Sequence, residues 1–294
     1  MAERAFGVDV SRHQGTMNWD KATAEGVTFA GIRATIGNYY TDTKFEENWA
    51  GAKNAGIYVT AYHVVLPDQT ARSQIDRFLD VLGSRISEAD LPLAMDVELD
   101  RGESRSVITK VVRQCLEFTE EVANRKPMIY TRASFFNWYV EPSPVWAEYD
   151  LWIARYASQP WFGDSDPYKP RDWDTWRFWQ YSDRGDGDKY GAESLSIDHN
   201  WFNGDKAALD AYVDPQKPPP PTDVPNPIGK VVVTAEPHIN VRSSPNVSPS
   251  NDLGDLKPGV ELYVFEEFGE WVLIGGNAWI KTGPGLADWV ERYS

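Results

Sequence analysis

Cysteine is nearly missing from this chain of 294 residues. The single Cys115 excludes an intrachain disulfide. It falls on a helical apolar stripe with Val107, Val111 and Phe118, which predicts a buried structural thiol rather than a nucleophile. Basic residues are scarce too: 29 Lys and Arg stand against 44 Asp and Glu, a formal net charge of −15. Nucleic acid is therefore not the expected partner, because phosphate binding needs a basic surface. An anionic polymer would have to be recognised in a specific pocket rather than by bulk attraction. No apolar run is long enough to span a bilayer, so no membrane insertion is expected. No basic and apolar leader stands between Met1 and the first strand, so the expectation is synthesis into the host-cell cytoplasm, or secretion if a leader has been removed. Histidine is rare. His13, His63, His199 and His238 show neither H-x-x-x-H nor H-E-x-x-H spacing, and no metal or other cofactor is expected.

What the chain does have is aromatic residues, with 13 Trp, 14 Tyr and 12 Phe. They fit an aromatic core or a groove that stacks on sugar rings. It also has three acidic motifs, each at the end of an apolar run: F-G-V-D-V-S-R-H-Q-G at 6–15, L-A-M-D-V-E at 93–98 and S-I-D-H-N-W-F-N-G at 196–204. In the middle motif Asp96 and Glu98 are two apart on a predicted strand and point to one face. Two adjacent carboxylates repel as anions, so one keeps its proton to higher pH. A protonated acid beside an ionised one is the equipment for cutting a glycosidic bond.

Seven of the sixteen residues from 214 to 229 are proline, which predicts a semi-rigid polyproline linker. It divides the chain into a large domain, 1–213, and a small one, 230–294. In the large domain strand-like runs at 6–10, 29–35, 57–64, 93–98, 128–131, 151–156, 178–182 and 196–200 alternate with helical runs at 45–55, 70–82 and 104–124. Such alternation predicts α/β architecture with parallel strands. Eight strands suggest a closed, TIM-like (β/α) barrel, irregular because the late connections look non-helical. Asp9, Asp96, Glu98 and Asp198 at strand ends then converge on one mouth. The small domain has five short apolar runs between turn signals and reads as an all-β barrel.

The large domain resembles the glycoside hydrolase family 25 lysozymes, the N-acetylmuramidases found in phage endolysins. G-V-D-V-S-R-H-Q-G, F-A-G-I-R-A-T, L-A-M-D-V-E, P-M-I-Y-T, L-W-I-A-R-Y, F-W-Q-Y-S and I-D-H-N-W-F-N-G carry the resemblance, in family order, across nearly all of 5–205. The small domain is similar to a bacterial SH3-type cell-wall module through I-N-V-R-S-S-P, L-K-P-G-V-E-L-Y-V-F and A-W-I. Ile36 and the pair Arg12-His13 depart from the family pattern. The resemblance implies cleavage of the β-1,4 bond between N-acetylmuramic acid and N-acetylglucosamine in bacterial peptidoglycan, by a monomer acting as an endolysin. It implies Glu98 as general acid and Asp96 as the residue that steers its charge or orients the 2-acetamido group. Asp9 and Asp198 then line the opposite side of the sugar. Tyr62, Tyr130 and Gln180 are substrate-contact candidates, with a core or a rim role open for each. Retention by a carboxylate nucleophile and retention by the substrate's acetamido oxygen both stay open. So do two other readings: a non-catalytic wall-binding protein on a degenerate barrel, and a secreted bacterial autolysin.

Overall fold

The computed structural model describes residues 4–156, 166–214, 228–247, 252–275 and 278–292. Most of the predicted linker, 215–227, lies outside the described residues. The chain forms two compact units, Met1–Leu209 and Asp210–Ser294.

The first unit is a closed barrel. Its staves are β1 (Phe6–Val10), β2 (Val27–Ile36), β4 (Tyr58–Val64), β5 (Ala94–Asp96), β6 (Met128–Thr131), β7 (Leu151–Ala154), β8 (Phe178–Asp186) and β9 (Ser196–Phe202), with the short β3 (Tyr40–Thr41) folded back on β2. They run in chain order round the barrel, and β1 closes it by pairing with both β2 and β9. Neighbours from β1 to β8 around the β2 side are parallel, but β9 is antiparallel to β8 and to β1. This corrects the all-parallel expectation. The reason is length: a parallel return needs a crossover of roughly a dozen residues or more, and 187–195 is shorter. That connection is also tight, since a Cβ on Gly187 would sit 1.9 Å from the Ser194 carbonyl oxygen.

Side chains alternate between two environments, as the pleat requires. Val8, Val10, Ala30, Ile32, Val59, Ala61, Met95, Ile129 and Ile153 belong to one buried cluster with the helices outside the barrel. The other face fills the lumen in rungs. At the bottom Phe29 meets Phe178 edge-on at 5.0 Å, and Phe178 meets Phe202 at 5.3 Å. Above them Trp152 lies over Gly31, where a Cβ would come within 2.4 Å of its ring. A floor of aromatic rings therefore supports whatever the next rung carries.

The helices follow the predicted pattern where apolar periodicity was strong. They are α2 (Phe45–Asn54), α3 (Ala71–Leu82) and α5 (Arg105–Ala123), preceded by the short α1 (Trp19–Ala24) and interspersed with α4 (Arg85–Glu88), α6 (Ala133–Tyr139) and α7 (Lys206–Val213). In α5 the Ser104 hydroxyl accepts from the Val107 amide as an N-cap, and Ile108, Val111, Val112, Cys115 and Leu116 form the buried stripe. Cys115 is buried, and burial pushes its thiol pKa up.

The second unit is all-β. One sheet orders β10 (Gly229–Val233) between β13 (Glu261–Val264) and β17 (Ala287–Arg292). The other runs β12 (Asp252–Leu256), β11 (Ile239–Arg242), β16 (Ala278–Lys281), β15 (Trp271–Gly275), β14 (Glu266–Phe268). Val231, Val233, Ile239, Val264, Val272 and Ile280 are its core. Sequence pattern missed β12, β14 and β17, which are short or carry charged residues on exposed positions.

Candidate active site

The rung above Trp152 is polar. Continuing the inward alternation, β1 contributes Asp9, β2 Arg33, β4 Tyr62, β5 Asp96, β6 Tyr130, β8 Gln180 and β9 Asn200 and Asp198. All but Asn200 line one cavity of about 340 Å³ at the mouth, joined by Glu98 and Arg132 just past their strands and by Tyr156 after β7. All four predicted acids and all three predicted contact residues, Tyr62, Tyr130 and Gln180, meet there. Two placements differ from expectation. Strand β5 ends at Asp96, so Glu98 stands beyond it. Asp198 does not end its strand: it is the third residue of β9, and only the reversal of β9 brings that end to the mouth, opposite Asp9.

The carboxyls fall into two pairs. Asp9 is buried, and its Oδ2 accepts from Gln180 Nε2 at 2.9 Å and Asn200 Nδ2 at 2.7 Å. Those amides are fixed in turn. Trp152 Nε1 donates to Asn200 Oδ1 at 2.7 Å, and the Tyr130 and Tyr156 hydroxyls donate to Gln180 Oε1 at 2.8 and 3.0 Å. With both amide oxygens engaged as acceptors, both amide nitrogens must face Asp9. Burial still raises the Asp9 pKa against these bonds. Its neighbour Asp198 is pushed up to about 9, by burial first and then by the Asp9 charge. Two coupled acids in contact share a proton. The amide donors favour Asp9 as the anion, which leaves the proton on Asp198.

In the second pair Asp96 is buried and its pKa is raised well above the ordinary range, by burial and then by the charge of Glu98. Its Oδ1 has no hydrogen-bond partner among the described residues. Such an atom marks a place where a ligand group completes the bonding. The Glu98 side chain is 30% exposed and faces the cavity. Burial raises its pKa, while Arg132, with Nε 3.8 Å from Oε2, pulls it back down. A raised, ligand-accessible carboxyl suits proton donation near neutral pH.

Sequence reasoning missed Arg33, Arg132, Trp152, Tyr156 and Asn200 as site residues. Arg33 is locked by Asp42 at 2.7 Å, with both side chains largely buried. Asn200 had a signal, since it lies two residues from Asp198 and therefore on the same face. Among the described residues no group of three or more His, Cys, Asp or Glu is arranged to hold a metal ion. On the outer face of β4, toward α3, His63 is buried between Thr35 Oγ1 at 2.7 Å and Gln74 Oε1 at 3.1 Å. Burial lowers its pKa to about 4, so it is a neutral structural residue holding the end of β4.

Comparison with known proteins agrees with this geometry. Residues 8–189 match the family model of glycosyl hydrolases family 25. Lysozyme M1 of Streptomyces globisporus is 33% identical over 217 residues, 69% of each chain. The protein YegX of Escherichia coli O157:H7 is 34% identical over 220 residues, 73% of this chain and 75% of that one. Among solved structures, a bacterial lysozyme from Streptomyces coelicolor superposes with a TM-score of 0.63 at 30% identity, covering 72% of this chain and 98% of that one. A family 25 glycosyl hydrolase from Bacillus anthracis gives 0.61 at 28% identity, covering 72% and 94%. A barrel whose mouth gathers two carboxyl pairs, in a chain with these relatives, belongs to glycosyl hydrolases family 25 and is a glycoside hydrolase of the lysozyme type.

Proposed function

We propose that this chain hydrolyses bacterial peptidoglycan at the β-1,4 bond between N-acetylmuramic acid and N-acetylglucosamine. The observation that carries the reading is the division of labour at the mouth: an accessible Glu98, whose pKa burial raises, lines the same cavity as a buried Asp9 fixed by two amides. Glu98 donates its proton to the glycosidic oxygen as the bond from C1 breaks. The leaving sugar departs with the electron pair. Positive charge grows at the ring carbon, and the Asp9 anion stabilises it. Asp96 Oδ1, without a partner among the described residues, meets the 2-acetamido group. Water completes the hydrolysis, with Glu98 now acting as base.

Mass spectrometry of the released fragments tests the reading. Muramic acid at the new reducing ends is expected. Fragments ending in N-acetylglucosamine, or free peptides alone, would sink it. Glu98→Gln keeps the shape of the side chain but holds no transferable acid proton, and is expected to lose roughly 10²–10⁴-fold in rate. A folded Glu98→Gln protein with near wild-type lysis removes the assignment.

The second unit fits the role of a wall-binding module of the bacterial SH3 type, through the motifs that suggested it. The biological setting we favour is a phage endolysin, held in the host cell until a membrane-permeabilising protein acts. Its single buried Cys115 needs no oxidising compartment for folding. Fractionation of cells making the protein alone separates the alternatives: soluble intracellular enzyme supports the endolysin, and appearance in the medium before lysis supports a secreted autolysin.

A further inference from the structure

A second cavity, of about 320 Å³, adjoins the catalytic one. It lies in the crevice between the turn after β6 and the end of β7. Arg132 and Ser134 form one wall, Ala154, Arg155 and Tyr156 the other, and Tyr168 stands at its edge. Arg132 and Tyr156 line both cavities, so the second lies beside the catalytic mouth.

Its charge is the opposite of its surroundings. The chain carries a net −15. Yet this cavity has two guanidinium groups and no Asp or Glu among its described lining residues. Among the described residues Arg132 has one carboxylate neighbour, Glu98, at a loose 3.8 Å. Arg155 is exposed and makes no ion pair among the described residues. Several other arginines of this barrel are paired, as Arg72 is with Asp76, Arg85 with Glu46 and Arg177 with Asp150. Two guanidinium groups lining a concavity that has no carboxylate in its own described lining favour an anionic ligand. The aromatic faces of Tyr156 and Tyr168 supply apolar contact beside them.

We propose that this crevice binds a carboxylate of the stem peptide carried by a muramyl residue, with Arg155 as the anchoring cation. The inference rests on the peptidoglycan reading above and deepens it. In that polymer the sugar backbone is uncharged where stems are attached, because the lactyl carboxyl is consumed in the amide link. The anionic groups nearest the glycan are then the stem carboxylates. Arg155 thus discriminates stem-bearing strands from bare sugar chains, whereas the four acids of the mouth handle the sugar.

The test uses the full-length protein and two substrates: glycan strands with their stems, and the same strands after an amidase has removed them. Amidase treatment frees the lactyl carboxyl, so it separates the two possible anions. Arg155→Gln is expected to raise KM on stem-bearing strands roughly three- to five-fold with kcat unchanged, the range of an exposed charge contact. Arg155→Lys should recover most of that loss. Ser134→Glu places a negative charge in the crevice and should raise KM further. On stripped strands all three should match wild type. Equal losses on both substrates would assign the effect to the sugar, the lactyl group or the fold, and overturn the proposal. Unchanged KM on stem-bearing strands for both Arg155→Gln and Ser134→Glu would overturn it as well, while leaving the muramidase reading intact. A wild-type enzyme that cuts neither substrate would end that reading, and this inference with it.

Discussion

Asp198 carries a cost that its neighbours impose. Its carboxyl is pushed from an ordinary 3.8 up to about 9. Between those values the native protein holds a proton that the unfolded chain has released. Stability therefore falls as pH rises through this window, and is regained as pH drops. Asp198→Asn removes the titration while keeping a donor toward Asp9. It is expected to raise Tm at pH 8, with the gain shrinking toward pH 4; calorimetry across that range checks it, and a gain independent of pH would contradict the account. On the proposed mechanism the alkaline limb of activity belongs to Glu98, which must be protonated to act. Arg132 holds the Glu98 pKa down, so Arg132→Gln should move that limb to higher pH in rate profiles on soluble fragments. A limb that stays in place, or moves lower, would break the link. The acids of this site were legible in the sequence because each sits in or beside a short apolar run. Arg33, Arg132 and Trp152 were not. Each gains its role from a partner outside its own strand (Asp42, Glu98 and Asn200 respectively), and no local pattern encodes that.

At the level of elements, period-two alternation explains the barrel better than apolar content does. Gly31 sits among the inward positions of β2 because Trp152 occupies the space a side chain would fill. Gly31→Ala must displace that ring, and with it the donor to Asn200 that aims the amides at Asp9. The expected result is a folded, destabilised enzyme whose rate falls far more than its far-UV spectrum changes. Unaltered kcat in a folded Gly31→Ala protein would show that the ring does not position the site. Long helices with strong apolar stripes, α2, α3 and α5, were readable to within a residue or two. The helices α4 and α6 were not, being too short for periodicity to register. The direction of β9 was hidden as well. Strand patterns carry no polarity, and only the brevity of 187–195 hints at the reversal.

For the molecule as a whole, the division into two units sets the expected behaviour of fragments. Structures of related enzymes are matched almost end to end by 72% of this chain, so a barrel of this size stands alone. A fragment of residues 1–213 is expected to keep full kcat on soluble glycan fragments and to bind intact walls less well, because tethering raises local enzyme concentration. Equal wall binding by both forms, measured by sedimentation with cell walls, would deny the second unit a targeting role. The antiparallel β9 has one more effect. It brings the barrel's last strand back beside its first: Ala5 donates its amide to Gly204 and accepts from Phe202, at 2.9 and 3.0 Å. Chain entry and chain exit are stitched together at the end away from Asp9 and Asp198. Such a barrel is a plug-in cassette. It can be circularly permuted across that seam, or spliced into another protein through two adjacent joints, without a single residue of the catalytic mouth being moved.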